Sequence, residues 1–366
     1  MAFRRSRQLI FALLWRFCQR HAPRLWERLF CRVLSTKLFP PQAPDPLLRV
    51  DFLDISLPSP IGVAPACSHQ LEMVDPLMDL GAGFGEFGPY TLEGENPTTE
   101  TFFLPQDRAI VTQSLGVQNP GLLTVMPTLI KRHYLPHIIG VNMTSTTSYS
   151  EESVRAGERT PYHQEFNTMV RKVAPYCDFL TLDFSLPETE LSRIISDGST
   201  VVPLLQSVAQ AARESAPLHC PRIIVKLPLN LTQLEFPMVC RYLVEARVDA
   251  VTIGGPFSLS NDSIRLSQDV HAGMLSGAPQ KSAVLDMIKR FYQLTDGQIP
   301  IIACGGVFSG QDVYDYLAAG ASVVQVDALL RFKGPMVISR LNRELTQILR
   351  SRGISSVAAV TGSDFY

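Results

Sequence analysis

The chain has 366 residues, of which 46% are hydrophobic and 18% are charged, and its formal net charge at pH 7 is −1. This composition excludes a disordered chain, and the balanced charge argues against a protein that binds nucleic acid. The seven cysteines are scattered and contain no CxxC pair, so the sequence predicts neither a structural metal site nor a disulfide framework.

The first 40 residues form a basic arm that the neutral total conceals. They hold nine Lys and Arg residues against one acidic residue, Glu27, and the rest of the chain therefore has a net charge of −9. Apolar residues recur at helical spacing on both sides of Pro23, and an arginine follows every four residues from Arg16 to Arg32. We predict a module of basic amphipathic helices over residues 1–41 and a second domain over residues 42–366.

Three interpretations of the basic arm remain open. A basic amphipathic helix that carries Trp15 and Trp26 suits the interface of a membrane. The same apolar stripe is compatible with docking on the core of the protein, and an Arg-rich, acid-poor start is also typical of mitochondrial targeting segments. We favour a peripheral membrane role, because no apolar run approaches the roughly 18 residues of a spanning helix.

After Pro40 and Pro41, short apolar runs alternate with helical patterns. Eight short runs are rich in Val, Ile and Phe and nearly continuous in apolar residues, as strands buried on both faces should be, and they cover residues 61–66, 84–88, 138–142, 179–184, 223–227, 250–253, 301–304 and 322–326. Helical patterns separate most of them, over residues 72–80, 163–174, 203–214, 233–246, 281–294 and 310–318. Eight such units predict an α/β fold, the (β/α)8 TIM barrel. Two long polar connections, 145–163 and 256–280, would then lie at its carboxyl-terminal face, where barrel active sites are found.

Polar and glycine residues follow the ends of the predicted strands. Gly305 and Gly306 come after the seventh strand, where backbone N–H groups and the next helix are suited to bind a phosphate. Gly277, in the connection after the sixth strand, could supply a further donor. Lys226 ends the fifth strand and should face an anionic group, either a ligand or a carboxylate in the barrel mouth. Asn142 ends the third strand, and its amide offers a donor and an acceptor at once.

The residues that carry a family resemblance are spread over positions of about 20–364. The strongest matches form the C-terminal block, which includes Pro300-Ile301-Ile302, Gly305-Gly306-Val307, Ser309-Gly310-Gln311-Asp312 and Ala319-Gly320-Ala321-Ser322. Further matches are Asn96-Pro97, Leu104-Pro105-Gln106-Asp107-Arg108-Ala109, Gly140-Val141-Asn142, Val225-Lys226 and Leu275-Ser276-Gly277. In these motifs the chain resembles the class 2 dihydroorotate dehydrogenases, which are membrane-associated and linked to quinone.

This resemblance implies a barrel that carries FMN at its carboxyl-terminal face. The flavin would oxidise dihydroorotate to orotate in pyrimidine biosynthesis and pass the electrons to a quinone that enters between the N-terminal helices. The positions that match cofactor contacts are Ala66, Asn142, Lys226, Gly277, Gly305 and Gly306. The resemblance further implies a peripheral position on the cytoplasmic face of a bacterial inner membrane or, alternatively, on a mitochondrial inner membrane.

The substrate side departs from the family pattern. The family has a segment Asn-Val-Ser-Ser-Pro-Asn-Thr where this chain has residues 183–189, so Leu186 stands at the position of the serine base. Asp183 and Glu188 replace the asparagines that bind orotate, and His69 replaces a lysine that pairs with the substrate. Other departures are Pro89, Gly254, Gly255-Pro256 and Asp327-Ala328.

Three residues are the alternative proton acceptors. His69 is a histidine, the residue type whose ordinary pKa lies nearest to neutral, and Glu188 is a carboxylate. Ser185 adjoins the base position, although strand alternation predicts that it faces away from the site. A second hypothesis is that the orotate site has been lost. The chain would then act on another substrate or serve as a catalytically silent binding protein.

Overall fold

A computed structural model describes residues 41–65, 71, 74–95, 101–104, 110–113, 117–132, 136–146, 161–187, 189–258 and 274–365. Its centre is a closed barrel of parallel strands, which confirms the predicted (β/α)8 architecture. In barrel order, the strands are β3 (Ile61–Val63), β4 (Gly85–Tyr90), β7 (Ile139–Met143), β8 (Phe179–Asp183), β9 (Arg222–Leu227), β10 (Ala250–Ile253), β13 (Ile301–Cys304) and β14 (Val323–Val326). All eight predicted runs supply one of these strands.

Helices cover the outside of the barrel and connect its strands. They are α1 (Val74–Asp79), α2 (Leu122–Arg132), α3 (Pro161–Val173), α4 (Glu190–Ile194), α5 (Gly198–Ser215), α6 (Glu235–Ala246), α7 (Lys281–Leu294), α8 (Gly310–Ala318), α9 (Ala328–Lys333) and α10 (Val337–Ser351). Short 3₁₀ helices lie at Pro46–Leu48, Ala174–Tyr176, Ala278–Gln280, Val357–Val360 and Ser363–Phe365. Within the described part of the chain, no helix has the length and hydropathy needed to cross a membrane.

Two smaller sheets were not predicted. A hairpin of β1 (Val50–Phe52) and β2 (Ile55–Leu57) lies at the amino-terminal end of the barrel, where Asp54 pairs with Arg222 of β9 at 2.5 Å. At the other end, a sheet forms in the order β11 (Phe257–Ser258), β12 (Met274–Gly277), β6 (Ile110–Gln113) and β5 (Thr101–Leu104). Part of the predicted connection 256–280 therefore belongs to this second sheet.

The amino-terminal half of the barrel interior is filled by aromatic rings. Phe84 and Phe179 are fully buried and meet edge to face, with ring centroids 6.1 Å apart. A Cβ atom at Gly140 would lie 1.9 Å from the Phe179 ring, and one at Gly62 would lie 2.5 Å from the Phe84 ring. Glycines on neighbouring strands thus make room for the rings, and this apolar plug leaves only the carboxyl-terminal half available for a polar site.

Candidate functional site

Five polar side chains from five barrel strands form one hydrogen-bonded group, which we call the inner polar network. The Lys226 Nζ donates to Asp183 Oδ2 at 2.6 Å, and Asn142 Nδ2 donates to the same oxygen at 3.1 Å. Asn142 Nδ2 also donates to Glu86 Oε1 at 2.7 Å, and Gln325 Nε2 donates to Glu86 Oε2 at 2.5 Å. Asn142, Asp183 and Lys226 each lie within the last two residues of their strands, so the network marks the carboxyl-terminal end of the barrel.

The inner polar network contains one cationic side chain, Lys226, and two carboxyl groups, Asp183 and Glu86, all of them buried. Burial alone lowers the pKa of Lys226, but the attraction of Asp183, with smaller contributions from Cys304 and Glu86, outweighs burial and raises that pKa to about 12. Burial raises the pKa of Glu86, against the opposing effect of Lys226 and of its hydrogen bonds. Lys226 therefore remains an ammonium ion at neutral pH. The sequence left either a ligand or a carboxylate of the protein as the anionic partner of Lys226, and in the structure that partner is the carboxylate of Asp183.

Four buried polar atoms in the barrel have no hydrogen-bond partner. They are the amide oxygens of Asn142 and Gln325 and the hydroxyl oxygens of Thr181 and Thr252. Buried polar atoms without partners are uncommon in native proteins, and each calls for a ligand or water. The two amide oxygens are acceptors, so they suit a ligand that presents ring N–H groups, as the expected flavin does. The inner end of the site therefore fits the cofactor.

The predicted phosphate-binding glycines have backbones that disfavour other residues. Gly277, Gly305 and Gly306 have φ angles of +121°, +102° and +72°. A Cβ atom at Gly306 would lie 2.5 Å from the backbone nitrogen of Lys281, so the two loops approach each other closely. This geometry fits a cradle of backbone donors for an anion.

Gln280, which the sequence argument missed, lies inside the glycine cradle. Its Oε1 accepts the N–H of Gly277 at 2.9 Å, and its Nε2 donates to the carbonyl of Gly255. The Gly277 donor is thus engaged by a side chain, and an anion that used it would have to displace Gln280. The position of Gln280, three residues after the glycine and directly before α7, was the available indication, since a glutamine there can return its side chain to the N–H of the residue that precedes the helix.

Asp327 has a cationic neighbour that removes an apparent conflict with a phosphate. Arg331 Nε lies 2.8 Å from Asp327 Oδ1, with a spacing of four residues along α9, and both side chains are largely buried. Asp327 therefore does not present an uncompensated negative charge beside Gly305 and Gly306.

At the position where the resemblance implies a serine base, the structure has an apolar contact. Leu186 is 7% exposed and packs with Val117 and Met274 in a small hydrophobic cluster. A leucine side chain has no atom that can accept a proton. Leu186 thus contributes packing at this point of the barrel mouth.

The predicted orientation of Ser185 is wrong. Its hydroxyl lies 2.5 Å from Asp183 Oδ1, and its backbone N–H donates to the same oxygen at 2.8 Å. The reason is that residues two apart in an extended segment face the same side, so Ser185 follows Asp183, the last residue of β8, whereas the prediction counted from Leu186. Ser185 turns toward the inner polar network and packs against Gly255, where a Cβ atom would lie 2.7 Å from its hydroxyl oxygen.

Three predicted site residues lie outside the described residues, namely Ala66, His69 and Glu188. The predicted N-terminal module also lies outside them, apart from its last residue. In the described portion, Asn142 and Lys226 both contact Asp183. The assignment of any of these residues to a cofactor or a substrate stays a prediction.

Comparison with known proteins gives a consistent family assignment. Residues 47–349 match the family described as Dihydroorotate dehydrogenase. A protein named Dihydroorotate dehydrogenase (quinone) from Novosphingobium aromaticivorans is 29% identical over 330 residues, which cover 88% of this chain and 90% of that protein. The mouse protein named Dihydroorotate dehydrogenase (quinone), mitochondrial, is 30% identical over 93% of this chain and 87% of its own length.

Solved structures support the fold. A crystal structure of DHODH in complex with ferulenol from Eimeria tenella superposes with a TM-score of 0.83 at 23% identity, and it covers 94% of this chain and 96% of that one. A ligand-free structure from the same organism has the same TM-score at 24% identity. At this level of identity the likeness concerns the architecture of the barrel.

Proposed function

The chain belongs to the dihydroorotate dehydrogenase family, and we propose from this that it is a quinone-linked flavoprotein that oxidises dihydroorotate to orotate. Family membership implies a flavin in general terms, and FMN is our specific proposal. The observation that carries it is that Asn142 and Lys226 donate to the same oxygen of Asp183 at the carboxyl-terminal end of the barrel, because both residues match flavin-contacting positions. A bound flavin would supply the site that accepts and releases electrons.

The chain's own residues define how such a cofactor would be held. Asn142 and Gln325 offer acceptor oxygens to the ring, and Lys226 offers an ammonium group. Gly305 and Gly306 would cradle the phosphate, and Gly277 would join them once the Gln280 amide has rotated away. The proton acceptor for the substrate is proposed to be one of His69, Glu188 and Ser185.

The basic arm supports the quinone and membrane part of the proposal. Residues 1–41 would form a module distinct from the barrel of residues 42–366, with its basic face toward anionic lipid headgroups. Its charge contrasts with the net −9 of the remaining chain, which an anionic surface would repel. We propose a peripheral position on a bacterial inner membrane, or alternatively on the mitochondrial inner membrane.

An absorbance experiment on the purified full chain tests this function. We expect a yellow protein whose cofactor, released by heat and identified by chromatography, is FMN at about one per chain. Under anaerobic conditions dihydroorotate should bleach the flavin bands, and a quinone in anionic vesicles should restore them. A colourless protein that does not take up added FMN would contradict the flavoprotein proposal. If the protein is yellow but its flavin stays oxidised in the presence of dihydroorotate, the proposal that dihydroorotate is the substrate would be contradicted.

The apolar contact of Leu186 favours a second candidate function. With no base at this position, the chain would act on a substrate other than dihydroorotate or would bind its ligands without turnover. Asp183 strengthens this alternative, because its carboxylate is already engaged by groups of the protein. The bleaching experiment separates the two candidates, since only the first requires reduction by dihydroorotate.

A Leu186→Ser variant tests how much of the orotate site remains. We expect less than about a tenfold gain in the rate of flavin bleaching by dihydroorotate, although a working general base contributes roughly 10²–10⁴-fold. The reason is that Gly255 and Pro256 provide no side-chain hydrogen bonds to hold the substrate. Stopped-flow absorbance measures the rate, with Leu186→Ala as the control for loss of packing. A gain of a hundredfold or more from serine alone would show that the substrate contacts are intact.

A further inference from the structure

Asp183 is saturated by donors of the protein itself. One carboxylate oxygen accepts from Lys226 and Asn142, and the other accepts the N–H and the hydroxyl of Ser185. The side chain is fully buried. Its lone pairs are therefore used within the barrel, and its negative charge is directed at the Lys226 ammonium 2.6 Å away.

This arrangement changes what Lys226 can offer to a ring beside it. An isolated ammonium group attracts the negative charge that two-electron reduction places on a flavin ring. A carboxylate held against that ammonium makes the pair nearly neutral when seen from the ring. The family has a neutral asparagine at the position of Asp183, so this compensation is a property of the present chain.

We propose that Asp183 is a positioning residue that sets the reduction potential of the bound flavin, by neutralising the positive charge that Lys226 presents to the ring. This inference rests on the proposed flavin function and deepens it. In the reaction, the substrate supplies the two electrons and the quinone removes them. A lower flavin potential favours the second of these transfers at the expense of the first.

An Asp183→Asn variant tests the inference through the reduction equilibrium of its flavin. The amide is nearly isosteric and can still accept the N–H of Ser185, so the fold should persist. At an effective dielectric near 20, one charge at about 6–10 Å from the ring would change the equilibrium by roughly ten- to a hundredfold. We expect at least about a tenfold shift toward the reduced flavin, which for two electrons is about 30 mV upward. Anaerobic reduction beside a reference dye of known potential measures it.

Two control variants separate charge from structure. Asp249→Asn removes a carboxylate that pairs with Arg222 at the opposite end of β9, and it should shift the equilibrium less than about twofold because distance and solvent screen it. Ser185→Ala removes a hydrogen bond to Asp183 without a change of charge and should shift it less than about threefold.

The outcomes distinguish this inference from the function on which it rests. Flavin binding with an unchanged potential in Asp183→Asn, or an equal shift in Ser185→Ala, would overturn the role of Asp183 and leave the flavoprotein proposal standing. Failure of the unmodified chain to bind FMN would overturn both. If Asp183→Asn did not fold, the double variant Asp183→Asn/Lys226→Gln would decide. It replaces the ion pair by a neutral pair, so its equilibrium constant with the reference dye should stay within about threefold of that of the unmodified protein.

Discussion

Replacement of Lys226 by methionine is expected to lower the free energy of unfolding by about 3–5 kcal/mol at neutral pH. The change leaves Asp183, which is fully buried, without its cation, and Glu86 lies in the same network. A buried carboxylate without a counter-ion must either remain charged in a poor solvent or take up a proton. Urea unfolding at matched flavin content measures the loss.

The matched double variant, Asp183→Leu/Lys226→Met, shows whether the cost comes from the uncompensated charge. Buried ion pairs contribute little net stability compared with apolar residues of similar volume, so the double variant should lose much less than the single one. An equal loss in the two variants would mean that the lysine stabilises the barrel through its packing and not through its charge.

The dependence of stability on pH gives an independent measure of the Lys226 ion pair. The pKa of Lys226 is raised from 10.5 to about 12 in the folded protein. A raised pKa means that the folded state holds the proton more tightly, so this contribution is fully present below pH about 10.5 and is lost as the pH rises through about 12. The difference corresponds to about 2 kcal/mol. The unmodified protein should lose this amount over that range, and Lys226→Met should not.

The barrel was predictable because each of its strands is a short contiguous segment whose apolar composition can be recognised in the sequence. Strands buried on both faces require continuous apolar runs, and runs such as 250–253 and 301–304 correspond to β10 and β13 at the same bounds. The antiparallel sheet of β5, β6, β11 and β12 was not predicted. Its pairs join segments as distant as Ile110 and Gly277. Its strands are only two to four residues long, which is too short for a recognisable alternation of apolar and polar residues.

The candidate site was predictable in position and not in its contacts. Residues at the carboxyl ends of parallel strands lie at the same end of a barrel, so Asn142 and Lys226 could be assigned to one site. The pair of Asp183 and Lys226 joins two neighbouring strands through side chains 43 residues apart in sequence, and no local pattern fixes that choice of partner. Arg331 is the opposite case, because its spacing of four from Asp327 on a helix was visible in the sequence.

The backbone at Gly254 requires a glycine, where the family resemblance implies another residue. The family resemblance implies a threonine at this position, directly after β10. Here the residue has φ +145°, and a Cβ atom would lie 1.8 Å from the carbonyl oxygen of Cys304 at the end of β13. Backbone atoms of a buried strand cannot move aside as a flexible side chain can. The ends of β10 and β13 therefore approach more closely than any residue with a side chain allows.

A Gly254→Ala variant is expected to lose at least about 3 kcal/mol of unfolding free energy, since strain at positive φ adds to a clash with backbone. Gly353→Ala is the matched control, because Gly353 also has a positive φ, +69°, with nothing within 4 Å of the added Cβ. That change should cost only about 1–2 kcal/mol. Urea unfolding compares the two variants. If they lost the same amount, the end of β10 could relax, and the threonine of the family would be compatible with this barrel after all.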